Sequence, residues 1–325
     1  MKFIIHKRSY ILIIDDNINI KISLPVANFS LFINKFRKIS RALSKEFNFR
    51  DKILIFISYF LIYPIHLFYK IFYVESWSIY ISNSLAEITK GVYEELFPHS
   101  NKNFAADPFF LDDKVLYEFA KRPFIKGKIM DIDFFQNNLT KEFISDEFHL
   151  SFPTSFKMNG SHYILPEMSS QIHQVIYEKK PDPYKKLEKI KTCLPALVDP
   201  VIFSHKGEDF LMGTEPGILQ NNLLKIMKIK DFKVDGEIQI FMSDEGARNG
   251  SKVFNEGGRL FRYAQNNLLY YGHSLTLQEI KVGWPQITFE NLEKLYPPPL
   301  FHGIHTLDYN GSEYVYDLKK YNFSF

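Results

Sequence analysis

Cysteine is almost missing from these 325 residues, with Cys193 standing alone. That excludes an intrachain disulfide framework and any zinc site built on paired thiolates. Glycine is sparse as well, 15 residues against 32 Phe and 19 Tyr. The glycine-rich phosphate cradles GxGxxG and GxxxxGK[ST] are both absent, and no basic-aromatic stripe points to a nucleic-acid partner. The N-terminus MKFIIHKRSYILIIDDN has no long apolar core followed by a small-residue cleavage site. No secretory leader is expected from it, and the chain is expected in the cytoplasm.

What is present describes a packed protein. Hydrophobic residues make up 46% and charged residues 24%, which fits one large globular domain, or one with an appendage. Charge is unevenly placed. Residues 1–75 hold 12 Lys/Arg and 5 Asp/Glu, an excess of +7, so the remainder of a chain of net charge +3 is mildly acidic. Within that basic front, Phe32, Phe36, Ile39, Leu43 and Phe47 fall at helical spacing, with Lys35, Arg37, Lys38, Arg41 and Lys45 on the other positions. The apolar run ILIFISYFLIYPIHLFY, residues 53–69, is interrupted by Pro64 and is short for a bilayer span. Two readings stand for residues 26–74: helices packed beside the main domain, or an interfacial anchor on an anionic membrane face. The first residues, with FIIH and YILIID flanking Lys7 and Arg8, suit a hairpin.

From about residue 75 a repeat sets in. AADPFFLDDKVLYEFA (105–120), LSFPTSFKMNGSHYILPE (150–167) and LVDPVIFSHKGEDFLMGTE (197–215) each carry an x-Pro step, apolar residues, a polar turn and a second aromatic-rich strand. Pro108, Pro153 and Pro200 are 45 and 47 residues apart, and residues 257–280 and 301–318 show fainter copies. A period of this length built from short antiparallel strands predicts an all-β fold, a β-propeller with room for five blades over 75–325. Residues 1–74 form a mainly helical, basic and apolar N-terminal extension in this reading. A proline at a strand start holds the preceding residue extended. The residues before the three prolines, Asp107, Phe152 and Asp199, are therefore expected at equivalent positions facing the axis.

These segments, with WSIYI (77–81), KGKI (126–129), ARNGSKVF (247–254), GGRLFRYAQNNLLYYG (257–272) and GIHTLDY (303–309), resemble the five-bladed propellers of the family 43 glycoside hydrolase superfamily. They resemble more closely the propeller domain in front of plant glucosamine inositolphosphorylceramide transferases and its stand-alone bacterial relatives. Two departures are visible: Tyr263 stands where the pattern has a proline, and Lys121 lies near a position that is acidic in many relatives. The resemblance implies Asp107 as base or nucleophile, Asp199 as the residue that tunes or orients it, and Glu167 as proton donor. Substrate contacts are expected from His149, Arg248, Arg259, Arg262, Gln265, His302 and His305. Arginines beside such a funnel would suit the phosphates of an activated donor. No metal or cofactor is expected. Crowding of acids predicts that Asp107→Asn leaves stability unchanged or raises it.

Three functions remain open at this level. One is a glycosyltransferase using an activated, phosphate-containing sugar donor, a furanosyl group being one candidate for the sugar, and a carbohydrate or glycolipid acceptor in cell-surface polysaccharide or glycolipid synthesis. The second is a glycoside hydrolase using the funnel carboxylates alone. The third is a non-catalytic carbohydrate-binding propeller.

Overall fold

The computed structural model describes residues 2–6, 9–15, 18–23, 73–122, 126–133, 139–180, 187–217, 219–242, 246–267 and 270–323. By its contacts the chain divides into two compact units, Glu75–Lys320 and Met1–Val74 with Tyr321–Phe325. In the latter, β1 (Lys2–His6) and β2 (Ser9–Asp15) form the hairpin expected at the chain start, and β3 (Ile18–Ser23) extends it to a three-stranded antiparallel sheet. The helices expected over 26–74, and with them the apolar run 53–69, lie outside the described residues.

The larger unit is a five-bladed propeller of four-stranded antiparallel sheets. Blade one is β6 (Asn103–Leu111), β7 (Lys114–Lys121), β8 (Lys128–Asp133) and β9 (Leu139–Ile144). Blade two is β10 (Ser151–Met158), β11 (Ser161–Glu167), β12 (His173–Lys179) and β13 (Leu187–Pro195). Blade three is β14 (Val198–His205), β15 (Glu208–Thr214), β16 (Leu223–Lys230) and β17 (Lys233–Phe241). Blade four is β18 (Phe254–Glu256), β19 (Arg259–Asn266), β20 (Ser274–Gly283) and β21 (Gln286–Leu295).

Blade five is made from both ends of the unit. β22 (Leu307–Tyr309) and β23 (Tyr314–Phe323) pair with β4 (Tyr73–Ser82) and β5 (Glu94–Phe97), in the order β22-β23-β4-β5. That pairing closes the ring by joining strands from the two ends of the unit in one sheet. Between β4 and β5 a short helix, α1 (Leu85–Lys90), is capped by the Ser84 side chain at its start and by left-handed Gly91 at its end.

The burial pattern follows from this architecture. An innermost strand such as β6 is covered by neighbouring blades on both faces, and its Ala105–Leu111 stretch is buried without alternation. The outermost β13 and β17 alternate with solvent instead. Each blade-to-blade seam carries its own apolar cluster. Leu165 and Ile176 meet Leu211 and Met227 between blades two and three, for example, and Ile79 and Val315 meet Val115 and Ile132 between blades five and one. On the axis itself Phe109, Phe152 and Val201 pack together, the two rings edge to face at 4.8 Å. This cluster underlies the site.

Candidate active site

Asp107, Phe152 and Asp199 occupy the same position on β6, β10 and β14, but they are not extended. Their φ values are 53°, 45° and 48°. Each sits in a register break, between Ala106 and Phe109, Ser151 and Thr154, and Val198 and Val201. The x-Pro step is therefore a β-bulge, where two inner-strand residues face one on the neighbour and the strand bends. The proline has no N–H to lose there, and the residue before it turns into the left-handed region at a cost of about 1–3 kcal/mol.

The freed N–H of each bulge residue donates to a carboxylate of the preceding blade. Asp107 N–H reaches Asp317 Oδ2 (3.0 Å), Phe152 N–H reaches Asp107 Oδ2 (3.3 Å), and Asp199 N–H reaches Glu167 Oε2 (2.9 Å). These bonds link blade five to one, one to two and two to three. They hold three acids at one end of the axis.

Asp107 is the centre of the group. Its Oδ1 accepts from Thr306 Oγ1 (2.7 Å) and lies 3.1 Å from His305 Nε2. His305 Nδ1 in turn lies 2.8 Å from Asp317 Oδ2, and Asp317 Oδ1 accepts the N–H groups of His305 and Thr306. Burial opposes charge on the imidazole, yet Asp317 and Asp107 on its two sides outweigh it and push its pKa up to about 10. His305 is thus an imidazolium at neutral pH. Burial would raise the Asp107 carboxyl, but His305, Thr306 and Arg248 outweigh it and hold the pKa below the ordinary value. Asp107, His305 and Asp317 lie close enough to surround a cation. A cation there would compete with the ring proton for the His305 nitrogens.

Two further carboxyls behave oppositely. Glu118 on β7 is pushed well above the usual range by burial and by the neighbouring Asp107 and Glu167. Glu167 on β11 is raised to about 8 by burial and by Asp199, against the pull of Arg248, the Asp199 N–H and Ser169. Glu118 and Glu167 occupy corresponding register positions, opposite Ala106 and Ser151 just before the bulges. Asp199 is differently engaged. It receives Arg248 through Nε (2.6 Å) and Nη2 (3.1 Å), and Gln265 Nε2 (2.9 Å). Arg248 lies 5.2 Å from the ring of Tyr271, which also borders His305. Trp77 packs 4.2 Å from His305 on another side.

The remaining expected residues divide. His149 is at the site: Nδ1 accepts the Gly127 N–H (2.8 Å), so Nε2 carries the proton of the neutral ring, 3.4 Å from Glu118. Gly127 is required there, since a Cβ would lie 2.5 Å from Leu150 O and 2.7 Å from both Glu118 and His149. His302 is half-buried ahead of the fifth blade, its N–H on Lys319 O. Two arginines do not fit the substrate role expected of them. Arg262 is fully buried within blade four, donating to Ala247 O, Gly246 O, Asn249 Oδ1 and Gln278 Oε1 beneath the Phe289 ring. Arg259 is exposed at the opposite end of β19 from Gln265, beside Glu279. Sequence proximity placed them together, but the strand separates them.

Sequence reasoning missed Glu118, Asp317, Thr306 and Tyr271. A signal existed for Glu118. Glu167 and Thr214 follow their repeat prolines by 14 residues, whereas Glu118 follows Pro108 by 10. Aligning the second strands by register, rather than counting from the proline, puts all three at one position.

A family model described as glucosamine inositolphosphorylceramide transferase 1, N-terminal, matches residues 71–294. A protein of that name from Arabidopsis thaliana is 32% identical over 199 residues, covering 55% of this chain and 26% of the relative. Its namesake from Oryza sativa subsp. indica is 28% identical over 197 residues, with the same coverage. The chain thus matches about a quarter of the length of these relatives. Among solved structures, a thermostable family-43 glycoside hydrolase aligns at TM-score 0.48 and 11% identity, over 68% of this chain and 89% of that one. The RS223 beta-xylosidase aligns at 0.47 and 10%, over 67% and 92%.

Proposed function

This chain belongs to the family of N-terminal regions of glucosamine inositolphosphorylceramide transferase 1, and from that premise we propose that its propeller moves a glycosyl group at the Asp107 end of the axis, in glycolipid or cell-surface polysaccharide synthesis. The observation that carries the reading is the gathering of buried Asp107, Glu118 and Glu167 at the bulges of neighbouring blades, where His305 and Thr306 favour charge on Asp107 while burial favours the protonated form of both glutamates. Glycosyl transfer needs that division, with a carboxylate facing the anomeric carbon or its attacking hydroxyl and an acid for the leaving oxygen. Asp107 takes the first role and Glu167 the second. Glu118 keeps a proton against Asp107, and Asp199 is held by Arg248 and Gln265 as an orienting group. The acceptor would be a carbohydrate or glycolipid, consistent with the relatives' name.

One observation favours hydrolysis as a second reading. Of the three arginines expected to grip a donor phosphate, Arg262 and Arg259 lie away from the acids, and Arg248 is already bidentate on Asp199. A neutral glycoside needs no such grip. The two are separated by assaying the full chain with activated sugar phosphates plus a glycolipid acceptor, and in parallel with aryl glycosides in water. Acceptor-dependent product supports transfer, and release of free sugar without acceptor supports hydrolysis. Activity with neither substrate class overturns both.

A further inference from the structure

Away from the acids, the inner strands of blades four and five part around a second cavity of about 350 Å³. Its walls are aromatic. Phe254 stacks on Phe261 (5.8 Å, 28°) and on Tyr263 (6.1 Å, 26°), and across the cavity Tyr309 stacks on Tyr314 (4.4 Å, 22°). The inner end carries an ion pair, Lys252 Nζ 2.7 Å from Asp308 Oδ2, and that same oxygen also accepts the Phe110 N–H. Glu256 adds a second carboxylate to the lining. None of the acids, the imidazolium or Arg248 lines this cavity. Lys252 stands four residues beyond Arg248 and Asp308 three beyond His305, roughly 10 Å of extended chain. Val253 lines the cavity and packs on the Phe109–Phe152–Val201 cluster of the axis.

Tyr263, the residue that departs from the family's proline, acquires a purpose here. Its ring forms part of the wall, and its N–H donates to Ser251 Oγ (2.8 Å), another lining residue. A proline would supply neither the ring nor the donor.

We propose that this cavity is a second carbohydrate-binding site, taking a neutral mono- or disaccharide apart from the reacting sugar. Stacked aromatic faces suit the C–H face of a sugar ring, while the lysine, the carboxylates and the tyrosine hydroxyls suit its hydroxyl groups. Two carboxylates against one ammonium disfavour a phosphate or a nucleotide. The volume lies near the lower end of ligand pockets, about 300–1,000 Å³, which suits one or two rings rather than a long chain. The inference does not depend on catalysis at Asp107.

Saturation-transfer NMR on the full chain tests it, with N-acetylglucosamine, methyl glucoside and lactose as probes. At least one probe should receive saturation in the wild type, and Arg259→Ala, at an exposed position outside the cavity, should bind it equally well. Tyr309→Ala, at a partly exposed position that the fold tolerates, should weaken binding about three- to tenfold. Tyr263→Pro should weaken it in the same direction. No transfer to any probe, or binding unchanged in Tyr309→Ala, would overturn the proposal.

Discussion

At the residue scale, the deciding contact is the imidazolium of His305 between two carboxylates. Crowding of acids by itself predicts that Asp107→Asn is neutral or stabilising. The structure reverses that expectation, because removing the Asp107 charge strips one partner from a buried cation. Asp107→Asn should therefore lower stability by about 3 kcal/mol. Glu118→Gln, which replaces an already neutral carboxyl, should change it little. Chemical denaturation of the two variants checks the pair, and equal losses would contradict the assigned protonation. Glu167 makes a separate prediction about pH. Its pKa rises from 4.5 unfolded to about 8 folded, so the folded state binds the extra proton between those values. The stability from that protonation is complete below about pH 4.5 and is lost as pH rises through 8. Melting temperatures should fall across that window in the wild type, and fall less in Glu167→Gln.

At the scale of elements, the strand–turn–strand unit was legible and its details were not. The proline phase reported the bulges because only an unpaired inner-strand position accepts a residue without an N–H. The bulges' left-handed geometry was hidden, since it arises from convergence on the axis rather than from any local preference. Glu118 was obscured by a first hairpin four residues shorter than the next two. Arg262 was misread because strand alternation turns it into the blade, away from Gln265. Asp317 was missed because blade five is assembled from both ends of the unit, so its copy of the repeat is incomplete in the chain. The loop before β8 also bears on the site. Gly127→Ala would push a methyl against Leu150 O, Glu118 and His149. It should cost about 1–3 kcal/mol and reduce turnover together, as read by thermal melting beside an activity assay.

At the scale of the whole molecule, five seams with separate apolar clusters and a closing sheet drawn from both ends explain how a chain with 15 glycines and one cysteine holds a ring. The basic front end adds a question of place. Among the described residues no helix is long and apolar enough to cross a membrane. We propose that residues 26–70 bind an anionic membrane face, on the strength of their basic excess and helical spacing. Deleting residues 1–70 spares β4 and should leave the propeller folded while abolishing sedimentation with anionic liposomes. Undiminished sedimentation of the truncated protein would refute the anchor.

The account stands or falls on whether the Asp107 end does chemistry. Turnover by Asp107→Asn and Glu167→Gln, measured on protein shown by melting to be folded, addresses this directly. The predicted result is a loss of about 10²–10⁴-fold in each variant, the scale set by a positioned acid or base. Wild-type turnover in both folded variants would contradict the account and leave a sugar-binding propeller in its place.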